Sequence, residues 1–209
     1  MIEIILFIIT SLFCYLIGSI SFGRILSKLM FGVDITKVGS GNTGATNVLR
    51  NSGPTLGLVV LILDMAKSII PVAILNQINY FDVNGGIQFF ALLFVIGHCY
   101  PIYNKFKGGK GVATGIGPLV IIFFPSSLAA LIIFILIIFF TRYVSVASIL
   151  GCLFAMISML LFNFMGLYGS TYYDLIFLIP AISIIIYKHN ENISRLINNN
   201  ENKLSFKKK

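Results

Sequence analysis

The chain has 209 residues, 57% of them hydrophobic and 11% charged, with 19 Phe and a formal net charge of +8. A mean hydropathy of +0.97 excludes an ordinary water-soluble domain and indicates an integral membrane protein, with little chain left over for a separate soluble unit. The positive charge would suggest nucleic acid in a soluble protein, but here it falls in short loops between apolar stretches, so no nucleic-acid partner is expected.

In chain order, Ile2 to about Gly23 is the first predicted span; Met1-Ile2-Glu3 lacks the basic start and cleavage site of a signal peptide, so the segment is expected to be retained. A polar loop from Arg24 to Gly53 follows, then a second span from Leu56 to Leu75 and a short loop from Asn76 to Gly86 that holds Asp82 and no Lys or Arg. A third, short span runs from Ile87 to Pro101. The apolar run from Val112 to Thr141 is too long for one straight crossing, and Pro125-Ser126-Ser127 stands in it, so two short spans with a tight turn are expected there. Val144 to Met165 and Tyr172 to Tyr187 complete seven spans, and a basic tail, disordered from about residue 202, ends a single membrane domain covering residues 1–209.

The charges fit that count. Apart from Lys67, inside the second span, every Lys and Arg falls in the loop at 24–50, at 105–110, at Arg142 or after Tyr187, which are alternate loops of a seven-span, all-α bundle. The positive-inside rule then places the N-terminus outside, the C-terminus inside and both basic loops on the cytoplasmic side of the membrane. Asp64 and Lys67 lie three apart on one helix face and are expected to point inward and pair. Cys14, Cys99 and Cys152 are odd in number and set among apolar residues, and His98 and His189 are the only histidines, so neither disulfide, metal site nor cofactor is expected.

Two polar islands interrupt this apolar chain. In Gly39-Ser40-Gly41-Asn42-Thr43-Gly44-Ala45-Thr46-Asn47, the three glycines allow backbone turns in which successive N–H groups converge on an anion. Ser40, Thr43 and Thr46 add donors, and Arg50 adds a guanidinium fork suited to phosphate. The second island, Lys105 to Thr114, combines glycines with the ammonium groups of Lys105, Lys107 and Lys110. Neither has Walker A spacing. The plainer reading of each, an interfacial turn with positive-inside lysines, explains one island better than two.

Gly18-Ser19-Ile20, Asp34-Ile35, the stretch from Gly39 to Arg50, Asp64 with Lys67, Gly97-His98, Pro101, the stretch from Lys107 to Thr114, Arg142-Tyr143-Val144-Ser145 and His189-x-x-Asn192-Ile193-x-Arg195-Leu196 occur in this order. Together they resemble the bacterial acyl-phosphate-dependent glycerol-3-phosphate acyltransferases, the PlsY family, over nearly the whole chain. The resemblance implies a seven-span inner-membrane enzyme that moves a fatty acyl group from acyl phosphate to glycerol 3-phosphate, giving lysophosphatidic acid. It implies an active-site set of Ser40, Arg50, Lys110, Ser148, His189 and Asn192, with the backbone from Gly39 through Gly41, Asn42 and Thr43 to Gly44 cradling a substrate phosphate; Lys107, in the second island, is expected to bind phosphate as well. Ser21, Ser68, Lys188 and Asn199 depart from the family's usual Pro, Gly, Arg and Gly.

The residue chemistry suits that reaction. Acyl phosphate is already activated, so the protein has only to align a hydroxyl with the carbonyl and neutralise phosphate charge. The attacking proton goes either to His189 or to a substrate phosphate oxygen, and the sequence leaves both open. The His-x4-Asp arrangement of acyl-CoA enzymes is missing, since Tyr103 and Ser194 stand at the acid positions after His98 and His189. A monomer in the bilayer, with acyl phosphate and glycerol 3-phosphate as partners, is expected. Two other readings stand beside it: a transporter for a phosphorylated metabolite, against which the lack of an internal repeat counts, and a docking protein for anionic lipids, which leaves the Gly-Asn-Thr loop unexplained.

Overall fold

The structure, a computed structural model, describes residues 1–78 and 84–204. Asp82 and most of the basic tail lie outside the described residues. The fold is all-α. Helices α1 (Ile2–Gly18), α2 (Phe22–Phe31), α3 (Ala45–Ser52), α4 (Pro54–Gln77), α5 (Gly86–Cys99), α6 (Val112–Ile122), α7 (Phe124–Thr141), α8 (Val144–Met165), α9 (Leu175–Tyr187) and α10 (Asn190–Ile197) follow one another, with short 3-10 turns between some of them.

Five of the resulting segments are long and apolar enough to cross a bilayer, counting Ile2–Phe31 as one, and the pair Tyr172–Tyr187 and Asn190–Ile197, bent by 51°, makes a sixth. Val112–Ile122 is apolar but spans only 11 residues, about 17 Å against a hydrocarbon core of roughly 30 Å. By length and composition, then, five or six spans are evident, and the expected seventh depends on this short helix. Two helices do replace one across the run from Val112 to Thr141. Phe123, in extended conformation, separates them, and Pro125 falls in the first turn of α7, where its missing N–H removes no hydrogen bond.

The first span and first loop differ from expectation. α1 stops at Gly18, and the chain restarts as α2, whose polar face carries Arg24 and Lys28. The predicted loop from Arg24 to Gly53 therefore contains two helices. The glycine signal masked α3, because the residues after Gly44 have good helix formers in Ala45, Leu49 and Arg50 and a glycine stop at Gly53, whose φ of 96° only glycine adopts readily.

Lipid offers no hydrophobic drive between helices, so packing rests on close backbone approach. At the α1–α5 crossing a Cβ on Gly18 would lie 2.6 Å from the Phe94 carbonyl oxygen. The α5 face is buried around Phe90, Phe94 and Val95, against which Cys14, Phe177 and Ala181 pack. A smaller cluster of Ile35, Val48, Leu56 and Val60 fastens the first polar island onto α4. Large apolar side chains such as Phe139 and Phe140 face outward, as a lipid-facing surface requires. All three cysteines are free, Cys14 and Cys99 fully buried.

Candidate active site

Asn47 organises the first island. Its Nδ2 donates to the carbonyl oxygens of Ile35 (3.1 Å), Val38 (3.1 Å) and Asn42 (2.9 Å), and its Oδ1 accepts from the Ser40 amide (3.1 Å) and from Asn51 Nδ2 (2.9 Å). Gly39 and Gly41 take the left-handed conformation, with φ of 60° and 65°. Gly44 does not: with φ −76° it caps α3 in extended conformation. Three of the loop amides are used internally, Ser40 N–H by Asn47, Gly41 N–H by the Val38 carbonyl and Gly44 N–H by Asn42 Oδ1. The loop is thus a rigid collar, and the amides it presents are those of Ala45 and Thr46 at the start of α3, since the Asn47 amide already donates to the Gly44 carbonyl.

That turn opens into a cavity of about 440 Å³. Ser40, Asn42, Gly44, Thr46 and Arg50 line it from the first island, and Lys110, Gly111 and Val112 from the second. The start of α6 comes in beside the start of α3, so two helix N-termini with their positive dipole ends meet two cationic side chains. Ser145 and Ser148 of α8, His189, Asn192 and Glu201 complete the polar end. Away from it the wall is apolar, including Leu61, Leu131, Phe134, Phe177 and Ile182.

The polar side chains are linked. Lys110 Nζ donates to Asn192 Oδ1. Asn192 Nδ2 donates to Glu201 Oε1 at 2.7 Å, which also accepts from Ser145 Oγ at 3.0 Å, while Arg195 Nε donates to Glu201 Oε2 at 2.8 Å. Burial raises the Glu201 carboxyl, but the hydrogen bonds from Arg195, Asn192 and Ser145 outweigh it and hold the group below the usual carboxylate range. Arg50 donates through Nη2 to the Asn202 carbonyl at 2.8 Å, and its Nε is buried with no partner among the described residues. Burial lowers the Arg50 guanidinium from its ordinary value without discharging it.

Two groups at the polar end are moved from their ordinary values by their surroundings. Burial, against attraction from Glu201 and with repulsion from Arg195 and Arg50, brings the Lys110 ammonium down to about 8. His189 is brought down to about 4, first by burial and then by Lys110. Its Nδ1 lies 2.7 Å from the Ile185 carbonyl oxygen, so the neutral ring carries its proton there and leaves Nε2 as an acceptor.

Of the predicted set, Ser40, Asn42, Gly44, Arg50, Lys110, Ser148, His189 and Asn192 all border this cavity. Ser148 Oγ is turned onto the Val144 carbonyl at 2.8 Å. Gly39, Gly41, Thr43 and Lys107 are not on its wall: the first two shape the loop, Thr43 is buried beneath it and Lys107 is exposed. Sequence reasoning missed Glu201, which stood in an Asn- and Lys-rich tail, and gave Asn47 no role. The signal for Glu201 was an acid nine residues beyond Asn192, in a tail otherwise rich in Asn and Lys. Asp64 and Lys67 do pair, at 2.8 Å, with both side chains buried.

This is a membrane helix bundle whose cavity joins a cationic, hydrogen-bonding head to an apolar length, the shape complementary to an amphiphile with an anionic group. The glycerol-3-phosphate acyltransferase family profile matches residues 8–199, and the chain belongs to that family. It is 41% identical to the glycerol-3-phosphate acyltransferase of Ehrlichia ruminantium over 98% of both chains. It is also 44% identical to that of Endomicrobium trichonymphae over 100% of both. The crystal structure of PlsY (YgiH), an integral membrane glycerol 3-phosphate acyltransferase, in its glycerol 3-phosphate form superposes with a TM-score of 0.85 at 39% identity, covering 95% of this chain and 96% of that one. Its lysophosphatidic acid form gives 0.83 at 38% identity, covering 95% of each.

Proposed function

We propose that the protein transfers a fatty acyl group from acyl phosphate to the 1-position of glycerol 3-phosphate, releasing lysophosphatidic acid and inorganic phosphate, as a seven-span monomer with its site at the cytoplasmic face of a bacterial inner membrane. The observation that carries this reading is the single cavity in which Arg50, Lys110 and two helix N-termini stand at the mouth of an apolar wall. The head suits phosphate and the wall suits an acyl chain. The glycerol 3-phosphate and lysophosphatidic acid forms of the PlsY crystal structures support the acceptor and the product.

The C1 hydroxyl attacks the acyl carbonyl, a C–O ester bond forms, and the C–O bond to phosphate breaks. Arg50 and Lys110 neutralise the phosphates, so that two anions can approach and the departing one is stabilised. His189, neutral with a free Nε2, accepts a hydrogen bond from the attacking hydroxyl and orients it. With a value of about 4 it is a weak base, and the proton passes to the departing phosphate, whose leaving oxygen becomes strongly basic as the acyl C–O bond breaks. Replacing Arg50 or Lys110 by Ala lowers kcat/KM by roughly 100-fold; purified variants that stay folded and retain wild-type turnover would remove both residues from the site.

A further inference from the structure

A second cluster of ionisable groups lies next to the cavity and takes no part in the chemistry above. Lys67 Nζ, on α4, donates to Asp64 Oδ1 at 2.8 Å, to the Ile20 carbonyl at 2.8 Å and to His98 Nδ1, on α5, at 2.9 Å. Three acceptors use all three ammonium hydrogens. Nδ1 of His98 is therefore the acceptor, and the ring proton sits on Nε2. All three residues are buried, and Asp64 and His98 reach the cavity wall.

The other edge of the His98 ring is pressed against the second glycine island. A Cβ on Gly109 would collide with Nε2, Cε1 and Cδ2 of that ring, while the Gly109 amide donates to the His98 carbonyl oxygen at 3.0 Å. Gly109 is thus gripped from both sides by one residue, and the next residue is Lys110. The same cluster holds the far end of the island, since Thr114 Oγ1 donates to the Asp64 carbonyl at 3.0 Å. An apolar filling of this space would be cheaper than three buried polar groups, unless the ring has to be held at a fixed angle.

We propose that Asp64, Lys67 and His98 are positioning residues: the lysine ammonium, with its aspartate counterion, fixes the His98 ring as a stop against Gly109 and so sets where Lys110 meets the substrate phosphate. This rests on the reading above that Lys110 binds that phosphate.

The test is a double-mutant cycle on purified protein, with KM read separately for each substrate. His98→Ala raises KM about tenfold for the substrate whose phosphate Lys110 holds, with little change in KM for the other substrate or in melting temperature. Gly109→Ala lowers kcat/KM, and adding His98→Ala to it recovers about tenfold, because the methyl group then has room. Asp64→Asn with Lys67→Met, which removes the pair without stranding a charge, reproduces the rise in KM. If His98→Ala fails to fold, His98→Asn, which keeps an acceptor for Lys67, reads the same coupling to Gly109→Ala. Independent effects at 98 and 109, or a fall in melting temperature with both KM values unchanged, would overturn the proposal. An active wild type with such variants overturns positioning alone, whereas an inactive wild type overturns the functional reading and positioning with it.

Discussion

Lys110 has its charge under tension. Burial and the neighbouring Arg50 and Arg195 bring it down to about 8, with Glu201 holding it up. A phosphate bound beside it favours the protonated form, so binding is strongest below that value and weakens as pH rises through it, each added molecule then requiring a proton from solution. KM for the substrate whose phosphate Lys110 holds accordingly increases above about pH 8, and Lys110→Arg, which stays charged, flattens the profile over the same range. An unchanged break in the arginine variant would assign the titration elsewhere. Lys110 and Arg50 were legible as candidate phosphate ligands, the role proposed for them above, because cations beside glycines in an apolar chain have few other uses. The lowered values of Lys110 and His189 were not, since they come from burial and from neighbours far away in sequence.

At the scale of elements, one carboxamide sets the first island. The five hydrogen bonds of Asn47 join the turn at Ile35–Val38, the glycine loop and α3 into one unit. Asn47→Ala strands several buried carbonyls, costs about 3 kcal/mol and abolishes acyl transfer through loss of the α3 N-terminus; wild-type activity and melting temperature in that variant would show that the loop holds itself. The sequence announced a turn at Gly39 and Gly41, whose positive φ needs glycine. It could not announce that the loop amides turn inward, because an asparagine several residues away decides this. The break at Phe123 was readable from run length and Pro125, whereas the one at Ser19–Ser21 was not, since the apolar pattern continues through it into α2.

For the whole molecule, the alternation of basic and uncharged loops is the argument for orientation. It predicts that a cysteine placed at Lys105 is labelled by an impermeant thiol reagent only from the cytoplasmic side, and one at Leu167, in the loop after α8, only from the outside; the native thiols Cys14 and Cys99 are buried. Labelling of both from one side would change the span count and make Val112–Ile122 a helix that does not cross. The bundle as a membrane fold was plain from hydropathy, but the meeting of two islands some 60 residues apart depended on α4–α6 packing, which hydropathy does not encode.

The central claim is the donor, and the direct measurement is acyl transfer to glycerol 3-phosphate by the purified protein in detergent, with palmitoyl phosphate and palmitoyl-CoA offered in parallel. Lysophosphatidic acid formed from the acyl phosphate alone is the predicted result. Product from the CoA thioester at a comparable rate, or none from acyl phosphate by folded protein, would contradict it.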